Sequence, residues 1–204
     1  MSRQDNGHDF LIRESIIQNA AELFARFGPT KTTMADIAKC VQMSPANIYN
    51  FFDSKNEIME AVGQKIFSGV SEKIRVEIKK RQDYFDRLSV LFIFIHRFIQ
   101  KNITPSEDVM RLQLVEGLKD WEYAKNFEIF VLNQTTEILM AAVAETDDRL
   151  MRCQADARII LDCLSFGVVY SNMFRNIEPK EHEARLVQQL DLVRDALRVR
   201  GYRI

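Results

Sequence analysis

"TTMADIAKCVQMSPANIYNFF", residues Thr32 to Phe52, places two very short helical patterns back to back, and its reading decides the rest of the chain. Thr33 followed by Asp36 has the form of a capping box, which opens a helix by satisfying its first free N–H groups. Met34, Ile37, Ala38 and Val41 then share one face of that helix. After a short break at Gln42 and Met43, Ser44 is a good N-cap and Pro45 a good first residue for a second helix. On a helical wheel Ile48, Phe51 and Phe52 group on one side. Ala46 and Asn50 point the opposite way, with Asn47 and Tyr49 on the flanks.

The flanking sequence is helical as well. Upstream, Ile17, Ala20, Ala21, Phe24 and Phe27 keep the rhythm of an amphipathic helix, which Gly28 caps and Pro29 stops. The first nine residues are polar and are expected to lack structure. Downstream, Asp53 interrupts the second short helix. Ser54 with Glu57 then opens a long one through Ile58, Val62, Ile66, Val70, Ile74 and Ile78. Further helical patterns cover 84–101, 105–118, 121–145, 149–174 and 181–199, and no alternating strand pattern bounded by hairpin residues interrupts them. The predicted fold class is all-α: a domain over 10–55 and a larger helical domain over 56–204, joined through a continuous helix.

With 28 Lys and Arg against 29 Asp and Glu, the chain is no polycation. Residues 1–55 hold six of each sign, a net of zero. Cys40, Cys153 and Cys163 have no metal-ligand spacing and read as reduced core residues. No apolar run approaches the roughly 18 residues of a membrane helix, so a cytoplasmic protein without membrane partners is expected.

The outer face of the second short helix suits DNA. In helix-turn-helix recognition that helix enters the major groove, where short side chains permit close approach. Asn can pair with adenine and Ala can meet a thymine methyl. Tyr49, Lys55 and the cap Thr33 are placed to hold phosphates. The stretch "IIQNAAELFARFGPTKTTMADIAKCVQMSPANIYNFFDSKNEIMEAV" resembles the N-terminal domain of TetR-type transcriptional regulators over roughly residues 10–62. The resemblance implies a helix-turn-helix in which Ser44, Pro45, Ala46, Asn47, Tyr49, Asn50 and Lys55 face DNA. It also departs from the family at Gln42, where Gly is common, so a non-Gly residue is expected to take positive φ.

One helix-turn-helix reads too few base pairs, so a homodimer on a near-palindromic operator is expected. The apolar helix "RCQADARIILDCLSFGVVYSNMF" suits a subunit core or a partner surface equally. The resemblance implies that the last two helices form a four-helix bundle with a partner, giving Leu164, Gly167, Val168, Leu190 and Val193 as interface candidates. Ser89, His96 and Gln100 lie in one sector beside the apolar stripe that includes Phe92. With Met110, Trp121, Tyr123 and Phe127 they could line an effector cavity, or simply form core.

No phosphate loop, nucleophile elbow or metal-binding pair is present, so neither an enzyme nor a cofactor or metal is expected. The reading is a one-component regulator, a repressor by the family's usual sign, released by a small-molecule effector. The alternative is a TetR-like adaptor that docks a protein partner and does not read DNA.

Overall fold

The computed structural model describes residues 3–102, 121–145, 147–174 and 179–204, with the side chains of 3–6, 101–102, 165–174 and 179 outside the description. The described residues form α-helices joined by turns, without strands. In chain order these are α1 (Arg3–Phe27), α2 (Met34–Cys40), α3 (Pro45–Ile48), α4 (Lys55–Lys79), α5 (Tyr84–Asn102), α6 (Glu122–Ala142), α7 (Arg149–Phe174) and α8 (Pro179–Val199). The pattern expected over 105–118 lies outside the described residues.

Two compact units make up the chain, Met1–Ser68 and Gly69–Ile204, and the division falls inside α4. The sequence placed it at 55/56. Ile58 and Val62, on the first turns of α4, belong to the head's core with Ile16, Ala20, Ile37, Ile48 and Phe52. The second unit packs Val70, Ile74 and Ile78 with Leu88, Leu91, Leu139, Cys153, Leu164 and Leu190, among others. Within it α6 packs on α7, and α5 and α8 pack on each other and on these helices.

The expectation of an unstructured start is corrected: α1 begins at Arg3. A helix already nucleated by buried turns at Ile16, Ile17 and Ala20 extends outward at little cost per residue, and Gly7 alone weakens it. The cysteines also differ from expectation. Only Cys153 is buried, while Cys40 and Cys163 are exposed free thiols, because Cys40 is the last residue of α2 and Cys163 faces outward between α7 and α8.

The turns follow the local chemistry. Gly28 takes φ 82 at the end of α1, and its N–H donates to the Phe24 carbonyl at 3.0 Å. At the end of α2 the Met43 N–H donates to the Ala38 carbonyl at 2.9 Å, the six-to-one bond of a Schellman cap. The residue held in the left-handed region is Gln42, at φ 56. Positive φ on a residue with a Cβ costs on the order of 1 kcal/mol, whereas glycine there adds unfolded-state entropy of about 0.4–1 kcal/mol. Gln42→Gly should therefore leave stability equal or raise it by up to about 1 kcal/mol, and Gln42→Val should lower it by about 1 kcal/mol or more. Urea unfolding measures both, and a glycine variant clearly less stable than the parent would contradict the strain assigned to this turn.

Candidate nucleic-acid interface

Thr33 and Asp36 close the expected capping box on α2. The Asp36 N–H donates to Thr33 Oγ1 at 3.2 Å. In return both the Thr33 N–H, at 2.9 Å, and its hydroxyl, at 2.6 Å, donate to Asp36 Oδ2. These bonds hold the Asp36 carboxyl below its ordinary value. They also occupy the two donors that Thr33 would offer a phosphate.

Ser44 caps α3 by accepting the Asn47 N–H at 3.2 Å, with Pro45 at the first helical position. Beyond Ile48 the chain continues as turns, with the Phe51 and Phe52 N–H groups both donating to the Ile48 carbonyl. Ile48 and Phe52 are buried. Ser44, Pro45, Ala46, Asn47, Tyr49 and Asn50 are all exposed, Tyr49 to 52%. The six residues expected on the recognition segment are thus brought onto one accessible stretch, fixed from beneath by two apolar anchors.

Lys55 sits differently from expectation. Its ammonium donates to the carbonyls of Pro29, at 2.9 Å, and Thr32, at 3.0 Å, and so ties the start of α4 to the loop between α1 and α2. Lys31, before α2, and Lys39, in its last turn, are exposed. Sequence reasoning passed over both, although a lysine before and one in the last turn of a short capped helix were a usable signal. Arg13 was also passed over. Its guanidinium donates to the Phe51 carbonyl and to Glu57 Oε1, the latter at 3.0 Å, and lies 3.9 Å from the centre of the Phe52 ring. Ser54 caps α4 as expected, its Oγ accepting the Glu57 N–H at 3.2 Å, while the Glu57 carboxylate takes the Asp53 N–H at 2.7 Å.

In the second unit, Ser89, Phe92, His96 and Gln100 lie along α5. His96 is buried, and the Ser89 hydroxyl oxygen and His96 Nδ1 are buried without a hydrogen-bond partner among the described residues. The His182 ring lies 6.1 Å away, while Arg97 forks onto the Glu183 carboxylate at 3.0 and 2.6 Å. Burial, and then the neighbouring His182, lowers the His96 pKa below the ordinary 6.5, so this imidazole is neutral at pH 7. Phe92 is core, and Phe127 packs against the same core and stacks on Phe130. Trp121 and Tyr123 meet at 5.6 Å between ring centres. Met110 lies outside the described residues.

Leu164 and Leu190, expected to face a partner, are instead buried in their own subunit's core, because the inward stripe of α8 runs Leu186, Leu190, Leu197. Val193 is half-buried and lines a groove of about 360 Å³ between α7 and α8. Gly167 and Val168 lie on α7, with side chains outside the description. The outward apolar residues of the groove are Ile159, Cys163, Leu192 and Ala196, at i, i+4 spacing on each helix.

The family model for bacterial regulatory proteins of the tetR family matches residues 16–62, the segment that carries the capped helices, the anchors and the exposed stretch. Over that segment the chain resembles the tetR family. Among curated relatives, the biofilm operon icaADBC HTH-type negative transcriptional regulator IcaR of Staphylococcus aureus is 33% identical over 105 residues, which are 47% of this chain and 56% of that protein. An uncharacterized HTH-type transcriptional regulator of Haemophilus influenzae is 24% identical over 117 residues, 57% of this chain and 58% of that protein. The chain thus spans somewhat over half the length of the curated relatives it matches. Among solved structures, the fatty acid degradation regulator FadR of Bacillus halodurans superposes with a TM-score of 0.62 at 19% identity, covering 89% of this chain and 93% of that one. Thermus thermophilus FadR, solved with lauroyl-CoA, gives a TM-score of 0.58 at 20% identity over 87% of this chain and 92% of that one. At such identities the likeness is one of fold.

Replacing Lys55 tests its role in the head without DNA. Lys55→Met leaves two loop carbonyls without their charged donor and should lower stability by about 1–2 kcal/mol, where an ordinary surface lysine would change it by less than about 0.5. Urea unfolding followed by circular dichroism gives the difference, and a value inside the surface range would return Lys55 to the phosphate contacts.

Proposed function

We propose that this chain is a one-component transcriptional regulator, a repressor, which binds a near-palindromic operator as a homodimer in the cytoplasm and is released by a small-molecule effector. The observation that carries the reading is the exposed stretch of Ala46, Asn47, Tyr49 and Asn50, anchored from beneath by buried Ile48 and Phe52. Asn50 and Asn47 supply amide pairs for base edges, Ala46 allows close approach to a thymine methyl, and Tyr49 and Ser44 offer hydroxyls to the backbone. Phosphate charge is met by Lys31 and Lys39, with Thr33 and Lys55 serving the head's own structure. A protein-docking face would show larger apolar anchors at this position, which disfavours the adaptor reading.

Dimerisation is assigned to the α7/α8 groove, where Ile159 and Leu192 are 60% and 72% exposed. Two such stripes packed together make a four-helix bundle core. Effector binding is assigned to the interior beside α5, where neutral His96 and Ser89 offer buried polar atoms that have no hydrogen-bond partner among the described residues. An effector releases DNA only by its preference for the non-binding state. If small apolar molecules, screened as a library, never alter operator affinity, the sensing arm is removed.

Fluorescence anisotropy of the full chain against upstream-region DNA should give selective binding. Tyr49→Ala and Asn50→Ala should each lose it, with Asn50→Ala costing about 1–3 kcal/mol at the cognate position. Binding that ignores both substitutions would contradict the assigned recognition segment. Leu192→Glu should convert the dimer to monomer in sedimentation equilibrium and weaken operator binding, whereas an unchanged dimer would place the interface elsewhere.

A further inference from the structure

The end of the recognition segment is gripped at three consecutive residues by a single ion pair. Arg13, on α1, donates one arm of its guanidinium to the Phe51 carbonyl and lays its plane over the Phe52 ring. Its other arm holds Glu57 Oε1 at 3.0 Å, and Glu57 Oε2 accepts the Asp53 N–H at 2.7 Å. Phe51, Phe52 and Asp53 are the residues through which α3 passes into α4.

We propose that Arg13 is a positioning residue for DNA reading, setting the direction of the recognition segment through this grip. The inference rests on the DNA-reading function proposed above. α3 has four helical residues, too few to define an axis through its own hydrogen bonds. Ile48 and Phe52, with Met43 and Phe51 packed beside them, fix its depth in the core, but apolar contacts are non-directional and leave the path of the backbone at its exit free to turn. The guanidinium removes that freedom because it is planar and forked: one group engages a carbonyl, a carboxylate and an aromatic face at fixed angles, which a lysine ammonium cannot reproduce. Arg13 and Glu57 side chains remain 42% and 39% exposed, so the pair adds little to global stability, and its effect lies in geometry.

The test uses full-length Arg13→Met, Arg13→Lys and Glu57→Gln. Without DNA, hydrogen exchange at the Tyr49–Asp53 amides should quicken about tenfold in Arg13→Met while the Ile16–Ala20 amides keep the parent rate. With DNA selected by the parent, affinity should fall about tenfold or more. Affinity for mixed-sequence DNA and the salt slope should hold, and Arg13→Lys should fail to rescue selectivity. Equal loss on both DNAs with a slope reduced by about 0.9 would make Arg13 a phosphate contact and overturn the proposal. Unchanged exchange and unchanged selectivity would reduce the pair to a surface salt bridge and overturn it as well. A parent that selects no DNA would refute the DNA-reading function by itself, and the exchange measurement would still decide whether Arg13 grips the segment.

Discussion

Burial of Ile48 and Phe52 is the constraint on which the head depends. The segment between Ser44 and Phe52 is too short to be a stable helix in water, so its shape comes from the two side chains that it inserts between α1, α2 and α4. Because those two are buried, Tyr49 and Asn50 between them and Asn47 beside them are turned outward. The exposed face and the core are therefore one arrangement seen from two sides. A polar residue at position 48 would disturb the surface stretch by losing the anchor beneath it.

Around this anchor the head commits several of its charged residues to its own structure. Lys55 ties two loop carbonyls, Asp36 takes both donors of Thr33, and Arg13 and Glu57 close the exit of the recognition segment. A head with no net charge over its first 55 residues therefore has fewer cations to spend on phosphate than its composition suggests. On the proposed function, specific contacts and the pairing of two heads would then supply much of the affinity. The second unit shows a similar division. α7 and α8 turn one stripe into their own core and leave another, at Ile159 and Leu192, facing out. Its far end is closed by the C-terminal turn, where Tyr202 donates to Asp156 at 2.7 Å and Arg200 pairs with the same carboxylate.

What was legible in the sequence was local. Thr33 with Asp36, and Ser44 with Pro45, act within one helical turn, so their types and spacing carry the whole signal. The left-handed turn at Gln42 was legible because a family with glycine at that place leaves the backbone little choice. The roles of Lys55 and Arg13 were hidden, because their partners are backbone carbonyls and a carboxylate 23 to 44 residues away. Backbone acceptors leave no mark in a sequence. Leu164 and Leu190 were misplaced for a different reason. A helix apolar on two sides does not say which side meets its own subunit, and only the packing of α5 and α6 against it decides.

Selection of bound duplexes from a random DNA library by the full chain, followed by sequencing, tests the central claim most directly. If two anchored recognition segments read DNA together, the enriched sequences will carry inverted half-sites whose centres lie about one helical turn, roughly 10 base pairs, or a multiple of it apart. Enrichment of nothing, or of an unpaired site with no symmetry, would contradict a dimeric reader built on the Ser44–Asn50 face.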